Sequence, residues 1–173
     1  DSFHPCQLLA DLLTYKEARG SIEGKKVVWL GDGNNMCHSY MNAARIFNFQ
    51  LVVVCPEEFL PNAEILKSSI KNTIIEHDPH NAVENADLVV TDVWASMGQE
   101  SEHIDRKEKF MKYQVNSEIM SHTKDDALFM HCLPAHRGEE VTEDVLEGPQ
   151  SIVWEEAGNR LHSQKALLEF LLI

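Results

Sequence analysis

The chain has 173 residues, 43% of them hydrophobic, which is enough for one well-formed core and short of what two full domains usually need. Its 15 Lys and Arg face 28 Asp and Glu, a formal net charge of −13 that repels phosphate backbones and anionic membranes, so nucleic acid and membrane are set aside as partners and a small molecule is left in front. Cys6, Cys37, Cys55 and Cys132 lie far apart without a C-x-x-C pair, and there is no secretory or membrane-spanning apolar stretch; the reading is a reducing cytoplasm.

In chain order, the sequence opens at Asp1-Ser2-Phe3-His4 without an initiator methionine, and is expected to be a piece of something longer. Leu9, Leu12, Leu13 and Tyr15 recur at near-helical spacing and close on Arg19-Gly20, which predicts a helix over 7–19. Apolar runs of strand length follow at 26–30, 51–54, 73–76, 88–91, 127–130 and 152–154. Between them the pattern predicts helices at 36–47, 61–71, 80–86, 102–113, 116–122 and 142–146, and a closing helix from Glu155 or Asn159 to Leu171. This alternation is the signature of βαβ units. The expected fold is α/β: a three-layer α/β/α, doubly wound, mostly parallel, Rossmann-like sheet in the order 3-2-1-4-5, with its switch point between the first and fourth strands.

That order gives three polar clusters a common address. Gly31-Asp32-Gly33-Asn34-Asn35 follows the first strand, Asp92 to Gly98 the fourth, and His131-Cys132-Leu133-Pro134 the fifth. Ligands of open α/β sheets bind where such strands end. A dinucleotide reading of the first cluster fails, because G-x-G-x-x-G would put glycine where Met36 stands; a tight turn and an Asn helix cap account for part of it. Asp92 with Ser96 suits an ammonium group, and Gly98 lets backbone amides approach a carboxylate, although a lone D-x-W would read as a turn cap with a packed Trp94. Cys132 could be an ordinary buried cysteine. Its flanks, His131, Pro134 and Arg137-Gly138, argue for a site, yet a Cys-His nucleophile lacks an orienting third group and a recognisable oxyanion hole. His77 with His80 and His131 with His136 are the close histidine pairs, and they yield no ligand set of known spacing. Neither a metal nor another cofactor is called.

Five segments in order resemble the ornithine carbamoyltransferases: His4-Pro5-Cys6-Gln7 running into Leu8-Leu9-Ala10-Asp11, the Asn34-Asn35 turn, Asp92 with Ser96-Met97-Gly98, His131-Cys132-Leu133-Pro134, and Glu156 to Asn159-Arg160. The S-M-G triplet is what separates the ornithine enzymes from their aspartate relatives. The resemblance implies a two-domain enzyme whose amino-terminal half grips carbamoyl phosphate through a Ser-Thr-Arg-Thr loop, whose carboxy-terminal half binds L-ornithine, and whose last helix packs back on the first half. Residues 1–173 then form the ornithine-binding domain alone, inactive without its partner domain. By the same resemblance, Asn35 and the Met97 backbone amide hold the α-carboxylate, and Asp92 and Ser96 the α-ammonium. Cys132 lies beside the δ-nitrogen. His4, Gln7, Cys132, Leu133 and Arg160 contribute to the carbamoyl phosphate site, with Cys132, Asp92 and Arg160 nearest the chemistry. The implied reaction carries the carbamoyl group to ornithine, giving citrulline and phosphate as in arginine biosynthesis or a urea-cycle-type step, and the intact enzyme is a homotrimer. A carbamoyltransferase for a related amine and a non-catalytic amino-acid-binding module stand as alternatives.

Overall fold

Five short runs, all but the edge run Thr73–Glu76 buried along most of their length, pair into one parallel sheet in the order β3-β2-β1-β4-β5. They are β1 (Lys26–Leu30), β2 (Gln50–Val54), β3 (Thr73–Glu76), β4 (Leu88–Thr91) and β5 (Leu128–His131). The computed structural model describes residues 2–94 and 103–173. Register places Trp29 between Val53 and Val90, and Val89 beside Phe129. Side chains alternate across the sheet. Val27, Trp29, Val53 and Val90 therefore enter one core with α1 (Pro5–Arg19), α2 (Asn35–Phe47) and, at its edge, α3 (Ala63–Ser69). Val28, Leu30, Val52 and Val89 enter the other, beneath α4 (Pro79–Val83), α6 (Ser117–Ser121) and α7 (Glu143–Leu146), with Phe110 from the end of α5 (His103–Phe110). A final helix, α8 (Val153–Leu172), lies along α1 and touches β5. Both faces are covered, which is why the strands read as continuous apolar runs.

Several helix starts follow from single residues. Asn34 caps α2 by accepting from the Met36 and Cys37 amides, Asn62 caps α3, Asp78 caps α4 ahead of Pro79, and Asn116 caps α6. Asn48, at φ 55°, ends α2 in the left-handed conformation. Gly33 is required by space: a Cβ there would sit 2.4 Å from the Pro61 nitrogen and 2.7 Å from the Phe59 carbonyl oxygen.

The strand order is the predicted one, and the differences are local. The apolar run 152–154 is not a strand. Ser151 makes a single bridge to Phe129, and the helix begins at Val153, which is buried while Trp154 is 56% exposed. A short apolar run cannot distinguish a strand from a buried helix start. The fifth strand lies one residue later than predicted, so His131 belongs to the sheet and pairs with Thr91. The predicted helix 102–113 ends at Phe110 and continues as a 3-10 turn over Met111–Tyr113. The helices predicted at 61–71 and 80–86 are shorter, Ala63–Ser69 and Pro79–Val83: the Asn62 and Asp78 caps set their starts, and both end before the predicted residue.

Candidate active site

The carboxyl ends of β1, β4 and β5 stand side by side because those strands are neighbours, and Asp92 ties all three together. Its Oδ2 accepts from Asn34 Nδ2 at 2.8 Å; its Oδ1 accepts from its neighbour's amide, Val93 N, at 2.8 Å and from Cys132 Sγ at 3.1 Å. The amide that reaches Asp92 is thus that of Asn34, which also caps α2; Asn35 is the next residue, half-buried in the first turn, its carbonyl accepting from Ser39 Oγ at 2.9 Å. Ser96 and Met97 lie outside the described residues.

Cys132 is a hydrogen-bond donor here. Burial first, and then the Asp92 charge, push its thiol well above the usual range, so the protonated form is the one that persists. Leu133 follows at φ 52°, before a cis Leu133-Pro134 bond. The turn is held from below by His131, which is fully buried: Nδ1 accepts from the Leu133 amide at 2.9 Å and Nε2 donates to Glu140 Oε1 at 3.1 Å. That pattern sets the ring tautomer and makes His131 a clamp on the turn.

A second cluster lies where α1 meets α8. His4 precedes α1, its amide donating to Ser39 Oγ at 2.7 Å. Burial and the Arg160 charge hold its ring below the usual imidazole range, against an upward pull from Asp92. His4, Arg160 and Asp92 therefore share one electrostatic neighbourhood. Gln7 is 1% exposed and its amide is fully engaged. It donates to Asp11 Oδ1 and Glu156 Oε1, both at 2.9 Å, and accepts from Arg160 Nη1 at 2.5 Å. Asp11 also accepts from the Tyr40 hydroxyl at 2.8 Å, and Glu156 from the His131 amide at 3.0 Å. The two carboxyls flank the same Gln7 amide, 2.9 Å from each, in a site closed to water, and like charges so placed are not both ionised, so the pair keeps a proton. Burial raises both, Asp11 to about 6.

Tyr40, Glu140 and Arg106 escaped the reading of the sequence, and Asn34 and Asp11 stood there only within motifs, with no role at the site. Arg106, 6% exposed, pairs with Asp32, donates to the Trp94 carbonyl and lies 4.5 Å over the Phe59 ring, fastening α5 to the β1 turn. Adjacent asparagines were the visible signal for Asn34, since only one of two can cap a helix. Nothing local marks a surface-helix aspartate such as Asp11 as buried. A cavity of about 640 Å³ at the amino end of the sheet between Leu12, Ile22 and Phe47 lies away from this chemistry.

Residues 23–171 match the family model described as the aspartate/ornithine carbamoyltransferase, Asp/Orn binding domain. The chain is 62% identical over 172 residues to an ornithine carbamoyltransferase of Methylococcus capsulatus, covering 99% of this chain and 58% of that protein. It is 56% identical to the anabolic ornithine carbamoyltransferase of Pseudomonas aeruginosa, again covering 99% of this chain and 56% of the relative. Among solved structures, the ornithine carbamoyltransferase of Burkholderia thailandensis superposes with a TM-score of 0.91 at 50% identity, over 100% of this chain and 56% of that one. The chain spans a little over half the length of these relatives. With a matched sheet, matched length of core and this level of identity, the chain belongs to the aspartate/ornithine carbamoyltransferase family, in its Asp/Orn binding domain.

Proposed function

We propose that this chain is the ornithine-binding part, a single domain over residues 1–173, of a cytoplasmic enzyme that moves the carbamoyl group from carbamoyl phosphate to the δ-amine of L-ornithine. The observation that carries this reading is the Asp92 carboxylate, half-buried at the mouth of β4 and oriented by Asn34 and Cys132. A fixed carboxylate is what an α-ammonium group needs, and Ser96, Met97 and Asn35 complete the grip on ornithine's amino-acid end. The carbamoyl phosphate half belongs to the part of the relatives that lies outside the matched region. Exposed Leu161, Leu168 and Phe170 on α8 support a helix that packs against it, and a homotrimer is the proposed assembly of the whole enzyme.

The chemistry is addition and elimination. Ornithine's δ-ammonium has a pKa of roughly 10.4, so the neutral amine is scarce near neutral pH and the site must select it. Its lone pair attacks the carbonyl carbon, a tetrahedral species forms, and phosphate leaves with the C–O bonding pair while taking up the proton that the attacking nitrogen gives up, leaving citrulline and hydrogen phosphate. His4 and Arg160 stabilise developing negative charge. Gln7 orients Arg160 through the bond between them, and Leu133 supplies backbone to the carbamoyl group. Cys132, held as a thiol, positions the δ-nitrogen and forms no covalent bond. The remaining rate comes from bringing the two substrates together.

Calorimetric titration of this chain with L-ornithine, L-norvaline and putrescine tests the reading. Weak binding of the two α-amino acids with none of the diamine is expected, and no citrulline forms without the phosphate-binding half. Putrescine binding as well as ornithine would overturn it.

A further inference from the structure

Glu140 is 0% exposed, and only one of its oxygens is satisfied. Oε1 accepts from His131 Nε2 at 3.1 Å and from the His136 amide at 2.5 Å; Oε2 has no hydrogen-bond partner. Such an oxygen, taken out of water and given no donor, calls for a cation. His136 Nδ1 lies 4.0 Å from it and 3.9 Å from Glu139 Oε2, and one ligand atom from each of the three residues falls within 4.8 Å of the others. We propose that His136, Glu139 and Glu140 form a binding site for a divalent transition-metal ion of the Zn²⁺ type. This inference is independent of the transferase reading.

The turn that carries these residues is built to hold them together. Gly138, at φ 83°, sends its amide to the Val141 carbonyl at 2.9 Å, folding His136 back over Glu139 and Glu140. The Glu140 carbonyl is pinned by the Val115 amide at 2.9 Å. One imidazole nitrogen and two carboxylate oxygens, with water as the fourth ligand, is a donor set for zinc or its neighbours, whereas calcium and magnesium prefer oxygen alone. Ligands of a tetrahedral ion stand roughly 3.3 Å apart at ordinary zinc distances. Reaching that geometry needs a small inward swing of the His136 ring, which is 50% exposed and free to make it. The outer contacts suit ligands as well: Glu139 Oε1 takes Lys107 Nζ at 3.1 Å and Glu140 Oε1 takes His131. Because His131 also holds the Leu133 amide, an ion at Glu140 is coupled through one side chain to the Cys132 turn.

The test is calorimetric titration of the chelator-treated chain with ZnCl₂, alongside His136→Ala, Glu139→Gln and Cys132→Ser, each checked for unchanged far-ultraviolet circular dichroism. The Cys132 variant controls for Asp92, His131 and Cys132, which also offer ligand atoms within 4.8 Å of one another. One saturable site is expected. Loss of an outer contact alone costs about tenfold or more in affinity, so His136→Ala and Glu139→Gln should weaken binding by at least that factor, with Cys132→Ser unchanged. Loaded with Co²⁺, the chain should show no sulfur-to-metal charge-transfer band. The proposal is overturned by absence of saturable binding, by His136→Ala and Glu139→Gln titrating like the unaltered chain, or by binding that disappears with Cys132→Ser and shows the thiolate band.

Discussion

Asp92 accepts three hydrogen bonds from three different strand ends, and Cys132 shows what that does to a neighbour. Burial is the largest cause of the rise in the thiol's pKa, and the Asp92 charge and hydrogen bond add to it. Asp92→Asn removes the charge while keeping the shape. The expected result is faster alkylation of Cys132 by iodoacetamide at mildly alkaline pH, followed by peptide mass mapping to separate it from Cys6, since thiolate is the reacting form. An unchanged or slower rate at Cys132 would contradict the account of its environment. In the complete enzyme the same substitution should raise KM for ornithine. Which asparagine serves Asp92 was beyond the sequence. Asn34 and Asn35 are chemically identical there, and the first turn of α2 alone decides that Asn34 both caps and reaches across.

At the scale of elements, the β1–α2 turn is fixed by packing as much as by its own residues. Gly33 donates its amide to the Phe59 carbonyl at 2.9 Å, and a Cβ added there would fall 2.4 Å from the Pro61 nitrogen and 2.6 Å from the Leu60 carbonyl carbon. Backbone cannot rotate away as a side chain can. Gly33→Ala should therefore cost roughly 1–3 kcal/mol, the ordinary range for overpacking, and should displace Asn34 from Asp92. Urea denaturation checks the first; an Asn34 side-chain amide resonance shifted toward its solvent-exposed value checks the second. A fully stable variant with that resonance unmoved would show that the turn has slack. The glycines were visible in the sequence as a turn, and the crowding was not, because Leu60 and Pro61 arrive from a distant loop. The same reason explains the run 152–154: its hydrophobicity was legible, but its place as the buried entry to α8 depends on where β5 and α1 lie.

Across the whole molecule, Asp11 on α1 and Glu156 on α8 join two helices to the end of β5 with one shared proton. Burial lifts the Asp11 carboxyl from 3.8 to about 6 in the folded chain. The folded state then holds the proton more tightly than the unfolded chain, so this contribution to stability is complete below about pH 4 and lost as pH rises through about 6. Asp11→Asn removes this titration and relieves Glu156 of a neighbouring charge, so the stability difference between the unaltered chain and the variant should shift over the window by on the order of 1 kcal/mol or more, most favourable to the unaltered chain at the acid end, when urea curves are compared pH by pH. A difference that stays constant with pH would remove the shared proton from the account. No described helix is long and apolar enough to cross a membrane, and the net charge of −13 acts on partners and solubility rather than on this internal network.

The sequence by itself determined the parallel sheet, its strand order and the three strand ends that carry polar residues, because period, length and turn chemistry are local and repeat along the chain. It also carried the family resemblance through short ordered motifs. Only the tertiary structure decided that Asn34 serves Asp92, that Asp11 and Glu156 share a proton, that His131 clamps the Leu133 turn, and that one oxygen of Glu140 is sealed off with no donor. Each of these depends on burial and on contacts between segments far apart in sequence, as with Gln7 and Glu156. A residue's type states what it can bond, and only the packed chain states which of those bonds it is given.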